Sequence, residues 1–225
     1  MKRNGGQVLV ESLVALGATR AFGVPGESYL AVLDALHDTS GRLDFINCRN
    51  EGGAGFMAAA WGKLTGSPGI CMVTRGPGVT NASIGVHTAM QDSTPMILFV
   101  GQVGTDMKDR EAFQEIDYRA VFGTMAKWAV EIDDADRIPE ILSRAWITAT
   151  TGRPGPVVVA LPEDMLTFVN YPTRFDCRET LAALKGSGVA CPNLHDYAWR
   201  IWDYWERNLD PDLFIDRSLK GTVAG

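Results

Sequence analysis

The feature that most constrains the fold is the regular alternation of short apolar strands with helices between residues 7 and 161. Three of the strand segments are nearly continuous apolar runs, at residues 69–74, 95–101 and 156–161. Such runs are typical of strands that are buried on both faces of a parallel sheet. Helical segments separate the strands, which predicts βαβ units, and right-handed crossovers then place helices on both faces. We therefore predict an α/β fold, a doubly wound parallel sheet with helices on both faces.

Turns rich in glycine and proline follow several predicted strands. The predicted strands are 20–24, 44–48, 69–74, 95–101, 126–132 and 156–161, and the predicted helices are 7–16, 29–36, 51–65, one ending near 90, and 135–148. Residues 102–115 are predicted to be a long polar loop. Because parallel strands end at the same edge of a sheet, the turns at 24–26, 50–52, 76–78 and 102–104 should converge there. Ligands of open α/β sheets bind outside this edge.

The helix that begins at Glu51 has an unusual composition. It contains Gly52, Gly53, Gly55 and Gly62, and each interior glycine costs about 1 kcal/mol relative to alanine. Such a helix persists where a close backbone neighbour or a ligand occupies the space that side chains would fill. Tight helix packing at a subunit contact is a further explanation, and it is compatible with a ligand-binding role. Glu51 itself has two open interpretations. It is either a functional carboxylate or a first-turn acid that faces the helix dipole, which is worth about 0.3–1 kcal/mol.

Composition excludes several classes of function. The chain of 225 residues is 46% hydrophobic and 21% charged, as ordinary globular proteins are. A net charge of -6 argues against nucleic-acid binding, and the absence of an apolar run of about 18 residues argues against a membrane span. The amino terminus makes a poor signal peptide. The four cysteines are scattered, which indicates reduced thiols in the cytoplasm and no zinc site.

The alternating pattern ends after Leu166. Residues 170–193 show no clear periodicity and are predicted to be a linker. Residues 194–209 are dense in aromatic side chains at helical spacing, which predicts an amphipathic helix whose apolar stripe needs a partner. We therefore divide the chain into a domain at 1–167 and a linker and amphipathic helical tail at 168–225.

The turn Gly76-Pro77-Gly78, followed by Thr80 and Asn81, has the composition of a backbone-lined pocket at the start of a helix. Glycine permits close approach of a ligand, and the free N–H groups at a helix start are donors. The spacing fits neither a Walker loop nor a dinucleotide fingerprint. Taken alone, this turn is equally compatible with a structural role and with a cofactor site.

Four motifs in order are more specific than any one of them. They are residues 22–26, 49–51 with 57–66, 76–81 and 113–115. Together they resemble the N-terminal, pyrimidine-binding domain of thiamine-diphosphate enzymes in the acetolactate synthase and pyruvate oxidase group. Residues 152–157 with 161–164 look like the end of that domain, so the resemblance covers about residues 1–167.

The resemblance implies a role for each matched position. Glu51 matches the glutamate that hydrogen-bonds N1′ of the cofactor's aminopyrimidine ring and so activates thiamine diphosphate. Gln114 matches a catalytic glutamine that reaches the reacting centre, and Phe113 beside it would line the substrate pocket. The implied cofactor-binding positions are Val24, Pro25, Gly26, Glu51, Thr74, Pro77, Gly78 and Asn81.

Two departures from the family bear on function. A histidine often precedes the glutamate, but Asn50 stands here, which leaves related lyases and decarboxylases open. Complete members hold the diphosphate through Mg²⁺ in a domain with a Gly-Asp-Gly motif, which this sequence lacks. We therefore expect no metal site in this chain, binding of the pyrimidine end only, and no activity of the isolated chain.

The resulting expectation is a portion of an acetolactate synthase-like enzyme that acts on 2-oxo acids such as pyruvate. Its expected partner is a second copy in a homodimer or a subunit with the diphosphate domain. The alternatives are a non-catalytic dimerising or regulatory module, the small subunit of a split 2-oxo acid decarboxylase, and a truncated product without function. Residues 193–225 weakly resemble a linker upstream of a short-chain dehydrogenase domain, but no dinucleotide fingerprint follows.

Overall fold

The structure is a computed structural model that describes residues 3–166 and 185–186. The predicted linker at 170–193, apart from an exposed turn at 185–186, and the predicted helix at 194–209 lie outside the described residues. The division of the chain at residue 167 therefore stays a prediction.

Six strands form one sheet in the order β2-β1-β3-β4-β6-β5, and every neighbouring pair is parallel. The strands are β1 Arg20–Gly23, β2 Asp44–Asn47, β3 Gly69–Val73, β4 Met96–Gln102, β5 Trp128–Glu131 and β6 Pro156–Pro162. The predicted parallel sheet is confirmed, and each predicted strand lies within a few residues of its observed bounds.

Within the described residues, one α-helix precedes the first strand and five lie between the strands. They are α1 Gly5–Ala15, α2 Leu30–Asp38, α3 Glu51–Thr65, α4 Gly76–Gln91, α5 Tyr118–Phe122 and α6 Ile138–Thr150. The five predicted helices are confirmed. The sequence pattern did not predict α5, because a helix of five residues is too short to show a periodicity.

Helices cover both faces of the sheet. On β3, Ile70 and Met72 belong to a core that includes residues of α1, α2 and α6. The alternate residues Cys71 and Val73 belong to a second core that includes residues of α3, α4 and α5. Because successive side chains of a strand point to opposite faces, the two cores lie on opposite sides of one sheet. The doubly wound arrangement is therefore confirmed.

The strand order locates the place where a ligand is expected to bind. From β1 the chain crosses to β2 on one side, and it then returns past β1 to β3 on the other side. This reversal makes the β1/β3 boundary a topological switch point, and in open α/β sheets ligands bind in the crevice at the carboxyl ends of such strands. The segments that follow β1 and β3 contain Val24 to Gly26 and Thr74.

Helices α3 and α4 pack with their backbones in close contact. A Cβ atom at Gly85 of α4 would lie 2.5 Å from the carbonyl carbon of Gly55 in α3. A Cβ atom at Gly55 would lie 3.1 Å from the carbonyl oxygen of Ala82. A close backbone neighbour within the same chain therefore explains the glycine at position 55, as the composition of α3 predicted.

Candidate functional site

Glu51 begins α3, and its carboxylate points towards α4. Asn50 caps the helix, because its side-chain oxygen accepts hydrogen bonds from the N–H groups of Gly52 at 2.9 Å and Gly53 at 3.4 Å. Glu51 is half-buried, and its Oε2 atom accepts a hydrogen bond from Asn81 Nδ2 at 3.0 Å. Glu51 is therefore held against α4 by a specific hydrogen bond. An acid that only faces the dipole of its own helix would not need this contact.

Three further predicted positions form a chain of contacts that ends beside this carboxylate. A Cβ atom at Gly26 would lie 2.7 Å from Thr74 Cβ, and one at Gly78 would lie 2.8 Å from Thr74 Cγ2. The Gly78 position also lies beside Glu51, with 3.6 Å between such a Cβ atom and Glu51 Oε1. The structure thus brings Gly26, Glu51, Thr74, Gly78 and Asn81 into one continuous cluster at the switch point. Their roles towards a cofactor stay predictions.

The turn at Val24 and Pro25 is supported from behind by Tyr29. Val24 donates its N–H to the Met72 carbonyl at 3.3 Å, and its own carbonyl accepts a hydrogen bond from the Tyr29 hydroxyl. Tyr29 is 2% exposed, and burial, with Cys71 and Glu51 nearby, raises the pKa of its phenol well above the ordinary value. Tyr29 therefore remains protonated and donates to the Val24 carbonyl. Pro25, the next residue of the turn, is exposed.

Sequence reasoning missed Tyr29. The only signal was an aromatic residue with a polar tip directly after the turn, which also fits an ordinary core side chain. Its neighbour Ser28 is likewise buried, and the Ser28 and Thr74 hydroxyl oxygens are 3.0 Å apart. These contacts join the segment after β1 to the segment after β3.

Phe113 and Gln114 reach the start of α4 through their backbone. Gly76 donates its N–H to the Gln114 carbonyl at 3.0 Å, and Arg75 Nη1 donates to the Phe113 carbonyl at 3.2 Å. The Phe113 side chain is 69% exposed, and Gln114 is half-buried. The expectation of free N–H donors in this turn is therefore wrong for Gly76, because the loop occupies that donor.

Pro77 occupies the first turn of α4 and is exposed. Proline is well tolerated there, because the first N–H groups of a helix have no partner within the helix. This position is therefore explained by helix initiation as well as by the predicted cofactor contact.

Arg75 is the second residue that sequence reasoning left without a role. It is 7% exposed, and its Nη2 atom lies 2.5 Å from Glu163 Oε1 and 3.1 Å from Glu27 Oε1. Burial raises the pKa of the Glu163 carboxyl; Arg75 opposes this shift, and Glu27 and Asp164 add to it. The available signal was a charged side chain two residues after β3, a strand whose residues are all buried.

Within residues 3–166 and 185–186, no group of three or more His, Cys, Asp or Glu side chains is arranged to hold a metal ion. In that same region, none of the helices combines the length and the apolar character required to cross a bilayer.

A parallel sheet with a carboxylate and glycine-lined turns at its switch point has the architecture of an α/β domain that binds ligands at this edge. Residues 3–121 match the family described as thiamine pyrophosphate enzyme, N-terminal TPP binding domain. The chain belongs to this family, and the predicted resemblance is confirmed.

Curated relatives narrow the similarity further. The chain is 40% identical over 167 residues to the acetolactate synthase isozyme 3 large subunit of Escherichia coli K12, which covers 74% of this chain and 29% of the relative. It is 39% identical over 163 residues to the mitochondrial acetolactate synthase catalytic subunit of Aspergillus candidus, which covers 72% of this chain and 23% of the relative. It is 39% identical over 164 residues to the acetolactate synthase large subunit of Lactococcus lactis, and this match covers 73% of this chain and 28% of the relative. This chain thus spans between 23% and 29% of the length of these three relatives and carries the TPP-binding N-terminal domain of acetolactate synthase-like enzymes.

Proposed function

We propose that the chain binds the aminopyrimidine end of thiamine diphosphate at the carboxyl ends of β1 and β3. In this proposal it contributes Glu51 to an acetolactate synthase-like reaction on 2-oxo acids such as pyruvate. The observation that carries the proposal is the Glu51 carboxylate, which Asn81 holds at 3.0 Å beside Gly78.

The residues present fit the pyrimidine end of this cofactor. Glycine at positions 26 and 78 lets the backbone come close to Thr74 and to a flat ring, while Val24 supplies an apolar wall. Asn81 holds Glu51 Oε2, and in our proposal Oε1 holds a proton against the ring nitrogen. Thiamine diphosphate, when bound, supplies the electron sink for cleavage of the bond next to the 2-oxo group.

The remaining predicted residues take supporting places in this proposal. Pro25 and Pro77 border the ring from the exposed side of their turns. Phe113 and Gln114 lie beside the start of α4, where Phe113 would line the substrate pocket and Gln114 would reach the reacting centre.

We propose that the diphosphate and its Mg²⁺ are held by a different domain or by a partner subunit. The sequence contains no Gly-Asp-Gly motif, and the described residues form no metal cluster. A catalytic assembly therefore needs such a domain opposite the cleft, and the isolated chain should bind the cofactor weakly.

The expected cytoplasmic location rests on the scattered cysteines alone.

The second partner that we propose is another copy of this chain, which would form a homodimer. Large apolar side chains are exposed on α3 and α4: Phe56 by 44%, Met57 by 48%, Leu64 by 86% and Ile84 by 52%. These exposed side chains also support the competing function, a dimerising or regulatory module without catalysis. Sedimentation velocity of the chain and of Ile84→Lys tests this, since a dimer that forms through Ile84 of α4 should dissociate in the variant.

Reconstitution with a subunit that carries a Gly-Asp-Gly domain tests the catalytic proposal. We expect decarboxylation of pyruvate or another 2-oxo acid by the pair, and a loss of roughly 10²–10⁴-fold in Glu51→Gln, the usual contribution of a proton-transfer group. The matched control is Glu140→Gln, an exposed carboxylate of α6 that pairs with Arg137 on the opposite face of the sheet.

Calorimetry with thiamine diphosphate adds a measurement that does not depend on turnover. Wild type and Glu140→Gln should bind the cofactor equally, and Glu51→Gln should bind it less tightly. If Glu51→Gln leaves the activity of the pair unchanged, the role proposed for Glu51 is wrong. Cofactor binding and dimerisation without any turnover would favour the non-catalytic module.

A further inference from the structure

We propose that Arg75 is a positioning residue that holds the segment 103–117 against the start of α4 and so places Gln114 at the candidate site. The catalytic meaning of this placement rests on the proposed function. The contacts of Arg75 do not depend on the proposed function, because all of its partners are residues that the structure describes.

Arg75 connects three segments that leave the same edge of the sheet. It stands at the N-cap position of α4, after β3, and its guanidinium contacts Glu27 in the segment after β1 and Glu163 in the segment after β6. Its Nη1 atom donates to the Phe113 carbonyl, which lies in the segment after β4. One buried side chain therefore joins the ends of four strands.

Two neighbouring residues at the start of α4, the N-cap Arg75 and the first helical residue Gly76, hold two neighbouring residues of the loop. Arg75 binds the Phe113 carbonyl, and Gly76 binds the Gln114 carbonyl at 3.0 Å. Gln114 has a φ angle of 64°, in the left-handed region that is unfavourable for a residue with a side chain. Such a conformation persists only where the surroundings impose it, and here these two hydrogen bonds, with that from the Glu115 N–H to the Ala112 carbonyl, hold the backbone around Gln114.

The chemistry of the side chain argues for a specific requirement for arginine. A planar guanidinium presents donors in several fixed directions, whereas the ammonium group of lysine is a single point charge. Three partners in three segments use the guanidinium, while its Nε atom is buried without a partner among the described residues. The fork of the arginine therefore holds the loop carbonyl of Phe113 in addition to its two carboxylate partners, which a single ammonium group could not do in the same directions.

Hydrogen–deuterium exchange of the full chain tests the proposal without any cofactor. In Arg75→Lys we expect amide exchange within 103–117 and at Gly76 to accelerate at least about tenfold, while exchange in β6 and α6 stays as in the wild type. Arg153→Lys is the matched control, because Arg153 binds the carbonyls of Met90 and Gln91 at the other end of α4. This control should leave 103–117 unchanged.

The outcomes separate this proposal from the proposed function. Unchanged exchange of 103–117 in folded Arg75→Lys overturns the positioning role, and so does an equal acceleration in every segment. If Arg75→Lys does not fold, Glu163→Gln replaces it with the same expectation, because it removes the charge of the closest partner. Glu51→Gln should leave exchange in 103–117 unchanged, so failure of the cofactor proposal does not affect this result.

A kinetic measurement adds the functional consequence. In the reconstituted pair, Arg75→Lys should lower kcat at least about tenfold with a smaller change in KM, since a misplaced Gln114 affects the reacting centre more than initial binding. Arg153→Lys should leave both constants unchanged. Equal kcat values for Arg75→Lys and the wild type would contradict the placement of Gln114.

Discussion

Replacing Gly85 by alanine is expected to separate the two helices that carry Glu51 and Asn81. The new Cβ atom would lie 2.5 Å from the carbonyl carbon and 2.7 Å from the Cα atom of Gly55. Both atoms belong to the backbone of α3, so no side-chain rotation can relieve the contact. The helices must therefore move apart, which shifts Asn81 relative to Glu51 and disturbs the geometry of their hydrogen bond.

The size of the effect follows from comparison with Gly53→Ala in α3. A Cβ atom at Gly53 meets nothing within 4 Å, so this variant gains only the helix propensity of alanine, about 0.5–1 kcal/mol. Gly85→Ala gains a similar propensity and adds the cost of overpacking, typically about 1–3 kcal/mol. Because the propensity gain is common to both variants, the difference between their free energies of unfolding should be about 1–3 kcal/mol.

Urea denaturation followed by far-UV circular dichroism measures this difference. We expect Gly53→Ala to be at least as stable as the wild type and Gly85→Ala to be less stable, with similar m-values for both. Equal stability of the two variants would refute the close contact between α3 and α4. Calorimetry with thiamine diphosphate should also show weaker binding by Gly85→Ala than by Gly53→Ala.

Three further predictions concern single side chains. Tyr29→Phe removes the hydroxyl that binds the Val24 carbonyl and should lower the free energy of unfolding by about 0.5–1.5 kcal/mol in urea titrations. Asn50→Ala removes the cap of α3 and should cost about 0.5–2 kcal/mol, measured in the same way. Burial raises the pKa of Glu163 above its ordinary 4.5 in the folded chain, so the folded state binds this proton more tightly than the unfolded state. Stability should therefore fall as the pH rises from 4.5 through the higher folded pKa, and Glu163→Gln should reduce this slope in urea midpoints measured across that range.

The fold was predictable because its signals are local. The buried runs at 69–74 and 95–101 mark the central strands, and α3 ends at Gly66, whose φ angle of 71° lies in the left-handed region that glycine adopts easily. The convergence of the turns at one edge follows from parallel strands alone. The helix α5 was missed because five residues contain no repeat of an apolar spacing.

The ion cluster around Arg75 was not predictable from the same signals. Its partners Glu27 and Glu163 are 48 and 88 residues away along the chain, and their meeting depends on the order of the strands. An alternating pattern predicts that strands are parallel but not which strands are neighbours. The positions of Phe113 and Gln114 came from the family resemblance, because nothing in a polar loop indicates where its backbone is held.

The side chain of Asn50 limits the chemistry that this site can perform. In the family that the chain resembles, a histidine often stands immediately before the glutamate, and an imidazole titrates near neutral pH. Asn50 has no titratable group, and its oxygen is already bound to the N–H groups of Gly52 and Gly53. The position therefore stabilises the start of α3 and cannot exchange a proton with a substrate. In the proposed reaction, proton transfer by this chain at the pyrimidine end consequently falls to Glu51, whose placement depends on the same helix start.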